Sequence, residues 1–273
     1  MLKPRHFPES DRLSVLAATI LLAYASARFV DLPSWDPGVQ LPGIYLSIEI
    51  NVRTVVALLV AGLTATGAEW LLRDHPSLGN SSTLQHWLLP ALTAWVIGVP
   101  LYRLPLGPQW LASFAIGGAL LILVLVAEYI VVDPQDVRHA LATAGLTAVS
   151  FALYLMLAIT LRSAGLRLFQ ILPALTLSAG LVSLRTLHLR LHGQWVFFQA
   201  IALALIVAQL AASMHYWPIS PITYGLALLG PAYAMTSLIG GLSEGEPLRQ
   251  ALFEPAIVLV VVWTTALWTA WTA

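Results

Sequence analysis

Long apolar runs separated by short polar segments dominate the sequence. A helix needs about 20 largely apolar residues to cross the hydrocarbon core of a bilayer, and nine runs approach or meet that length. They cover residues 12–30, 54–72, 85–104, 109–132, 139–161, 166–187, 195–214, 220–240 and 251–271. The pattern predicts an all-α polytopic membrane protein, a bundle of nine transmembrane helices that forms one domain over residues 1–273.

The span count and the orientation rest on finer features. Pro231 interrupts the run over 220–240, and a broken or re-entrant segment there gives eight spans as the alternative. Lys and Arg are enriched on the cytoplasmic side of membrane proteins. With the N-terminus inside, eight of them lie on the cytoplasmic side and five outside. This excess predicts a protein of the cell (plasma or inner) membrane with a cytoplasmic N-terminus and an external C-terminus.

One segment between the first two runs has a different period. From Ile44 to Arg53, apolar and polar residues alternate, which is the period of a half-buried strand. Pro42 and Gly43 precede it and are typical of a turn, and 39–41 fits a short partner strand. The pattern predicts a short external β-like segment before the second span.

Composition supports a membrane location and excludes several kinds of chemistry. The chain is 59% hydrophobic and only 10% charged, with a mean hydropathy of +0.82, whereas soluble domains carry about 25% charged residues. Thirteen basic residues balance thirteen acidic ones, so nothing indicates nucleic acid as a partner. The absence of cysteine excludes disulfides and thiolate metal sites. Because Lys3 is the sole lysine, a retinal Schiff base within a span is excluded as well.

Glu128 is the first candidate for function. It lies four residues before the end of the fourth run, about one turn inside the hydrocarbon. Ionisable side chains at such depth are costly and mark functional sites unless they are paired. A partner such as Tyr129, Arg138 or Arg185 indicates a structural role, whereas a hydrated or protonated carboxyl indicates a proton relay.

The other candidate polar residues lie near predicted cytoplasmic helix ends. Glu69 and Arg73 are four apart and share a helix face. A basic run at the end of the sixth span suits anionic lipid headgroups or a lipid diphosphate. The full set comprises Glu69, Arg73, His75, Asp133, Asp136, His139, Arg185 and His188.

Two further features have a structural interpretation. Glu254 and Pro255 are expected in the first turn of the ninth span, where a carboxylate favours the helix dipole and proline is tolerated. Arg190 is expected on a different side of the sixth helix from Arg185 and His188.

Two stretches carry a resemblance. GLTATGAEWLLRDHP (62–76) and HWLLPALTAWVIG (86–98) resemble an uncharacterised bacterial family of multi-pass membrane proteins. The resemblance covers the first third of the chain. It implies a multi-pass fold and no known activity, so it assigns no catalytic residue.

The motifs of known membrane enzymes of similar size are missing. DPQD (133–136) is the single aspartate-rich motif, whereas intramembrane prenyltransferases need two, and no paired glutamates of an intramembrane protease occur. We therefore expect no catalytic residue and no metal site, and the cofactor stays open. The leading interpretation is a non-catalytic subunit of a membrane complex or a lipid-binding scaffold, with membrane lipids and other membrane subunits as partners.

Two alternatives remain from the sequence. One is an enzyme or carrier that handles an isoprenoid or a phospholipid at a polar site on the cytoplasmic face. The other is a proton-coupled transporter that uses Glu128. Both alternative interpretations depend on whether the second, fourth and sixth spans bring their polar residues together.

Overall fold

The computed structural model describes residues 8–27, 38–41, 44–47, 52–73, 75–79, 83–191 and 193–272. The chain divides into two compact units, Met1–Asp136 and Val137–Ala273. Each unit is considered by itself below, and the expectation of a single domain stays a prediction.

The first unit is a helical bundle with a short β-ribbon. Its elements, in chain order, are α1 (Ser10–Ala27), β1 (Gly38–Leu41), β2 (Ile44–Ser47), α2 (Val52–Leu72), a 3₁₀ turn (Leu84–His86), α3 (Leu88–Arg103) and α4 (Pro108–Val131). The core of this unit lies where α1 to α4 meet, and it includes the buried side chains of Leu16, Ile20, Leu71, Ile97 and Leu121.

Small residues let α1 lie close to its neighbours. A Cβ atom at Gly67 of α2 would lie 2.1 Å from Leu16 Cδ1, so only glycine leaves room for that leucine. Tyr24, further along α1, donates a hydrogen bond to the carbonyl of Ala94 in α3. At the other end of α1 the guanidinium of Arg12 lies 4.9 Å from the centre of the Trp70 ring. Since Arg12 and Leu16 meet the last turns of α2, the two helices run antiparallel.

The β-ribbon and the start of α2 differ from the period-two expectation. β1 and β2 pair antiparallel with Leu41 opposite Ile44, but the ribbon ends at Ser47 and α2 begins at Val52. The expectation of a strand as far as Arg53 is therefore wrong at its end. Because Val and Thr suit either structure over a few residues, alternation alone could not locate the switch to helix. Residues 48–51 lie outside the described part of the chain.

The second unit is a bundle of five long helices. They are α5 (His139–Ser163), α6 (Leu168–Arg190), α7 (Phe197–Met214), α8 (Pro221–Ser243) and α9 (Leu248–Thr272). Turns with glycine at positive φ follow α5 at Gly165 and α8 at Gly245, a conformation that side chains with a Cβ rarely adopt. Buried leucines and tyrosines fill the centre, among them Leu157, Leu175, Leu203, Tyr224 and Leu228.

Pro231 does not break α8, contrary to the alternative of an interrupted span. Proline removes the N–H that would bond the carbonyl four residues earlier, which belongs to Ala227. The indole N–H of Trp263 in α9 donates to that carbonyl at 3.3 Å. A Cβ at Gly230 would lie 3.0 Å from Trp263 Cδ1, so glycine admits the ring beside the proline. A neighbouring helix thus replaces the missing hydrogen bond, and α8 stays continuous.

Eight helical segments in the described part of the chain are long and apolar enough to cross a membrane, which indicates a multi-pass membrane protein. They correspond to the predicted spans two to nine. The first predicted span is not among them: α1 carries Asp11 and Arg12 in its first turn, and residues 28–30 lie outside the described part. Nine membrane-crossing helices are therefore not shown.

Two glycines of the second unit should respond oppositely to alanine. At Gly225 in α8 a Cβ would lie 2.7 Å from Ile159 Cγ1 and 3.0 Å from Leu155 Cδ1, whereas at Gly145 in α5 no such atom lies within 4 Å. We expect Gly225→Ala to lower the free energy of unfolding by about 1–3 kcal/mol through overpacking. Gly145→Ala should raise it by up to about 1 kcal/mol through helix propensity. Thermal unfolding in detergent measures both, and equal effects would refute the packing of α8 on α5.

Candidate functional site

Glu128 forms a buried pair with a histidine of the same unit. Its side chain, in the last two turns of α4, is fully buried, and Oε2 lies 2.7 Å from Nδ1 of the buried His86. His86 ends the 3₁₀ turn before α3. Since α3 begins where α4 ends, the loop between α2 and α3 brings the imidazole to the carboxylate. A charged or proton-sharing pair of this kind removes the cost of a lone carboxylate inside the protein.

His75 lies beside this pair, in the loop after α2. Its ring packs edge-on against Tyr129 at 4.5 Å, and its Nδ1 accepts a hydrogen bond from the backbone N–H of Ser77 at 3.1 Å. Burial lowers the pKa of His75, and the nearby charges of Asp133 and Asp136 oppose that shift. An Nδ1 that accepts cannot carry a proton, so the hydrogen bond agrees with a neutral imidazole.

The remaining candidates of the first unit lie near its polar end. Arg73 donates from Nε to Glu69 Oε1 at 3.0 Å, which is the pairing that their spacing predicts. Arg73 is 71% exposed, so this ion pair contributes little to stability. Asp133 accepts from the backbone N–H of Gln135 and thereby forms the turn after α4. In the described part of the chain no three His, Asp or Glu side chains are placed to hold a metal ion.

The candidates of the second unit occupy two helix ends. Arg185 in α6 is 1% exposed, and His188, one turn later, packs its ring 4.5 Å from that of Trp195. His139 opens α5, with a buried Nδ1 that has no hydrogen-bond partner. The burial of Arg185 and His188 means that neither presents the open basic surface that anionic headgroups would meet.

A cleft with polar residues in its wall lies elsewhere in the second unit, between α5, α6, α8 and α9. Its volume is about 190 Å³. Phe151 contributes an apolar wall, and Arg190 and Glu254 contribute charges. Six hydroxyl groups complete the lining, from Thr143, Thr147, Thr186, Tyr233, Thr236 and Ser237. The surface that the cleft exposes is mainly apolar, with the hydroxyls and the two charges set in its wall, and this arrangement is the principal unexplained feature of the unit.

Arg190 is held on one side of the cleft by several acceptors. Its Nε donates to Glu244 at 3.0 Å, and Nη1 donates to the carbonyl and hydroxyl oxygens of Ser237 at 3.1 and 3.2 Å. Glu246 Oε1 lies 3.8 Å from Nη2. A Cβ at Gly240 would lie 2.7 Å from Arg190 Cδ, so glycine lets the side chain lie along α8. The guanidinium thus joins the end of α6 to the end of α8.

Glu254 belongs to the same hydrogen-bond network through Ser237 and is fixed by two hydroxyls. Tyr233 donates to Oε1 at 2.5 Å and Ser237 donates to Oε2 at 3.3 Å. A carboxylate offers about four lone-pair sites, so acceptor capacity remains after these two bonds. Because α9 begins at Leu248, Glu254 lies in its second turn, and the expectation of a first-turn position is wrong. The polar residues Arg249 and Gln250 lie before it, in the first turn of α9.

Two hydroxyls in the cleft have no partner. Thr143 Oγ1 and Thr186 Oγ1 are buried and make no hydrogen bond, and Thr186 is only 9% exposed as a residue. Threonine in a helix normally bonds the carbonyl three or four residues earlier, as Thr236 does at 2.7 Å to Ala232. A buried hydroxyl without a partner costs about 1–3 kcal/mol. Both oxygens are covered by neighbouring atoms, so a molecule in the cleft would bond to them only after the threonine side chains rotate.

Sequence reasoning missed both His86 and the cleft. His86 carried a usable signal, because the start of one span and the end of the next span face the same side of a membrane. The cleft residues repeat at intervals of four, Thr143 with Thr147 and Thr186 with Arg190, which places each pair on one helix face. Polar residues at this spacing are frequent in membrane helices. Only the meeting of four helices at the cleft distinguishes these pairs from others.

The comparisons with known proteins give a family and no activity. Neither the comparison with curated proteins nor that with solved structures gives a match. The family model described as a protein of unknown function, DUF5656, matches residues 33–269, a stretch that includes Glu128 and every residue of the cleft. This match confirms the resemblance to a family without a known activity. The chain belongs to the DUF5656 family of proteins of unknown function.

Proposed function

We propose that this membrane protein is a non-catalytic binding protein that holds the headgroup of a membrane lipid in the cleft of its second unit. The observation that carries the proposal is the group of polar residues in the wall of the cleft, where the buried Thr143 and Thr186 hydroxyls have no partner. Membrane lipids are then its partners. A role as a subunit of a larger membrane complex is compatible with such binding and stays a second part of the proposal.

The size of the cleft suits a headgroup. At roughly 30 Å³ per water molecule, 190 Å³ corresponds to about six water molecules. Pockets for drug-sized ligands have about 300–1,000 Å³, so a complete lipid does not fit. A small polar group does fit, while its acyl chains remain in the bilayer.

The position of the cleft supports the same ligand. Thr143 lies one turn into α5, Arg190 is the last residue of α6, and Glu254 lies in the second turn of α9. Consecutive spans alternate in direction, so these residues lie at one end of the unit. Helix ends of membrane proteins lie at the level of the headgroups. A site there meets lipid headgroups without drawing them into hydrocarbon.

Filling the cleft should release the lipid. We expect the wild type, purified in mild detergent, to retain about one lipid per chain in native mass spectra. Thr186→Leu should lose it, because the larger side chain occupies the cleft and removes a hydroxyl. Thr264→Leu in α9 is the matched control, since that threonine is exposed away from the lining.

Folding is followed separately by thermal unfolding. If Thr186→Leu does not fold, Thr186→Val removes the hydroxyl with almost no change in shape and should still weaken retention. Equal retention by the wild type, a folded Thr186 variant and the control would contradict the proposal.

We further propose nine membrane spans, with α1 as the first and the N-terminus in the cytoplasm of the cell. An α-helix of 18 residues is about 27 Å long, which is close to the thickness of the hydrocarbon core. α1 also lies along α2 from Arg12 beside Trp70 to Leu16 beside Gly67. The excess of Lys and Arg in the expected cytoplasmic segments supports the orientation.

Single cysteines test this topology, because the natural chain has none. Cysteines at Ser77 and Gln135 should react only from the cytoplasmic side, and cysteines at Gly38 and Ala273 only from outside. Labelling of Ala273 from the cytoplasm would exclude nine spans. The labelling uses a membrane-impermeant reagent on sealed vesicles. A cysteine that reacts from both sides would therefore show that the vesicles leak.

A second candidate function is proton-coupled transport through the first unit. A series of titratable groups begins at the buried Glu128, continues through His86 and His75, and reaches Asp133 and Asp136 at the end of α4. Membrane proton relays are built from such Asp, Glu and His side chains. The 2.7 Å pair of Glu128 and His86 is the observation that favours this function.

Substitution of Glu128 separates a relay from a structural pair. We expect Glu128→Gln to keep most of the unfolding free energy, because the amide keeps the shape and accepts a hydrogen bond, whereas Glu128→Leu should cost about 1–3 kcal/mol. If the pair is a relay, Glu128→Gln should also abolish proton flux into vesicles that contain the protein. Glu69→Gln, which alters a surface ion pair, is the control. Proton flux that persists in Glu128→Gln would rule out transport through this residue.

A further inference from the structure

The geometry points to a primary ammonium group as the part of the ligand that the cleft selects, held by the carboxylate of Glu254. This inference rests on the proposed binding function and adds the chemical class of the ligand. The ammonium comes either from an aminophospholipid headgroup or from a free small amine.

The balance of charge in and around the cleft is negative. Three carboxylates, Glu244, Glu246 and Glu254, act on the one guanidinium of Arg190. One positive charge against three negative ones favours a cationic ligand group over an anionic one. An acidic headgroup would meet net repulsion here.

Arg190 is also occupied as a donor. Of its five N–H groups, one donates to Glu244, two donate to the oxygens of Ser237, and Nη2 faces Glu246 at 3.8 Å. A phosphate that bound Arg190 in bidentate fashion would have to displace the carboxylates. Arg190 therefore holds the wall of the cleft in place and does not bind an anionic ligand.

Glu254, in contrast to Arg190, keeps hydrogen-bonding capacity for a ligand. Its bonds from Tyr233 and Ser237 fix both oxygens while leaving acceptor capacity. An ammonium group has three donors and no acceptor, so it complements a fixed carboxylate. Glu254 lies at the exposed edge of the lining, where a group can reach it from the headgroup level.

The unpartnered hydroxyls specify a second part of the ligand. Thr143 and Thr186 can each donate one hydrogen bond, and neither finds an acceptor within the protein. Thr186 is more than nine-tenths buried and lines the cleft. Both oxygens are covered by neighbouring atoms, so rotation of the threonine side chains would let a ligand with an ester or hydroxyl oxygen next to its ammonium group accept from them, within the available 190 Å³.

A quaternary ammonium fits less well. It has no N–H to donate, and proteins bind such groups in cages of several aromatic faces. The lining has two aromatic rings, Phe151 and Tyr233, and these pack edge to face against each other at 5.1 Å. The cleft should therefore prefer a primary ammonium over choline.

The test is competition among phosphatidylethanolamine, phosphatidylcholine and phosphatidylglycerol with identical acyl chains, presented at equal concentration to the purified protein. Native mass spectrometry counts the bound lipids. We expect at least tenfold more phosphatidylethanolamine than either other lipid on the wild type. Glu254→Gln should remove this preference, whereas Glu69→Gln, a carboxylate of the first unit, should keep it.

A second arm identifies the source of the ammonium. Free O-phosphoethanolamine that displaces the bound lipid would show that headgroup chemistry is sufficient. Failure of the free compound, with lipid preference intact, would show that the ligand is a lipid whose chains contribute. Both results support selection of a primary ammonium, and each assigns its source.

Other outcomes overturn the inference and identify what failed. Preference for phosphatidylglycerol or phosphatidylcholine, or full preference for phosphatidylethanolamine in folded Glu254→Gln, would refute the role of Glu254 while binding in the cleft stands. No lipid bound by the wild type, or equal binding by folded Thr186→Leu, would instead refute the binding function itself. Thermal unfolding of each variant shows whether it is folded.

Discussion

The hydrocarbon core of a bilayer cannot form hydrogen bonds, and this constraint explains how both units place their polar groups. At Pro231 the helix loses a donor, and Trp263 from the next helix supplies one to the freed carbonyl of Ala227. At Glu128 the carboxylate is fully buried, and His86 from another helix end lies 2.7 Å away. In both cases a neighbouring segment supplies the partner, so tertiary contacts decide where a polar or helix-breaking residue is tolerated.

The helices of this chain are readily predicted from the sequence because apolar length is a local property. The limits expected for spans two to nine lie within about three residues of the observed helices. The largest differences have a physical cause. α6 continues to Arg190, beyond the expected end at 187, since RTLHLR is polar but still forms helix readily. Conversely, the predicted strand ran two residues into α2, which begins at Val52, because β-branched residues also begin helices.

The sites are less predictable because they depend on contacts between distant segments. Glu128 was identifiable by its depth alone, but its partner His86 required the knowledge that α3 starts where α4 ends. Prediction of the cleft required the knowledge that four helices meet there. Its main contact, between Tyr233 and Glu254, joins two helices across the turn between them. Each residue by itself has an ordinary structural explanation: a threonine in a membrane helix, or a glutamate near a helix start. Only their arrangement distinguishes them.

The two charges of the cleft differ in what they leave available. Arg190 lies along α8, in space that Gly240 provides, and joins α6 to α8 through Ser237 and Glu244. Three of its five N–H groups donate within the protein, so its role is to hold the wall in place. Ser237 passes the same network on to Glu254, whose carboxylate is held from one side and open on the other. The network thus joins the partly exposed guanidinium of Arg190 to the exposed carboxylate of Glu254 through one hydroxyl, so the position of each charge depends on the other.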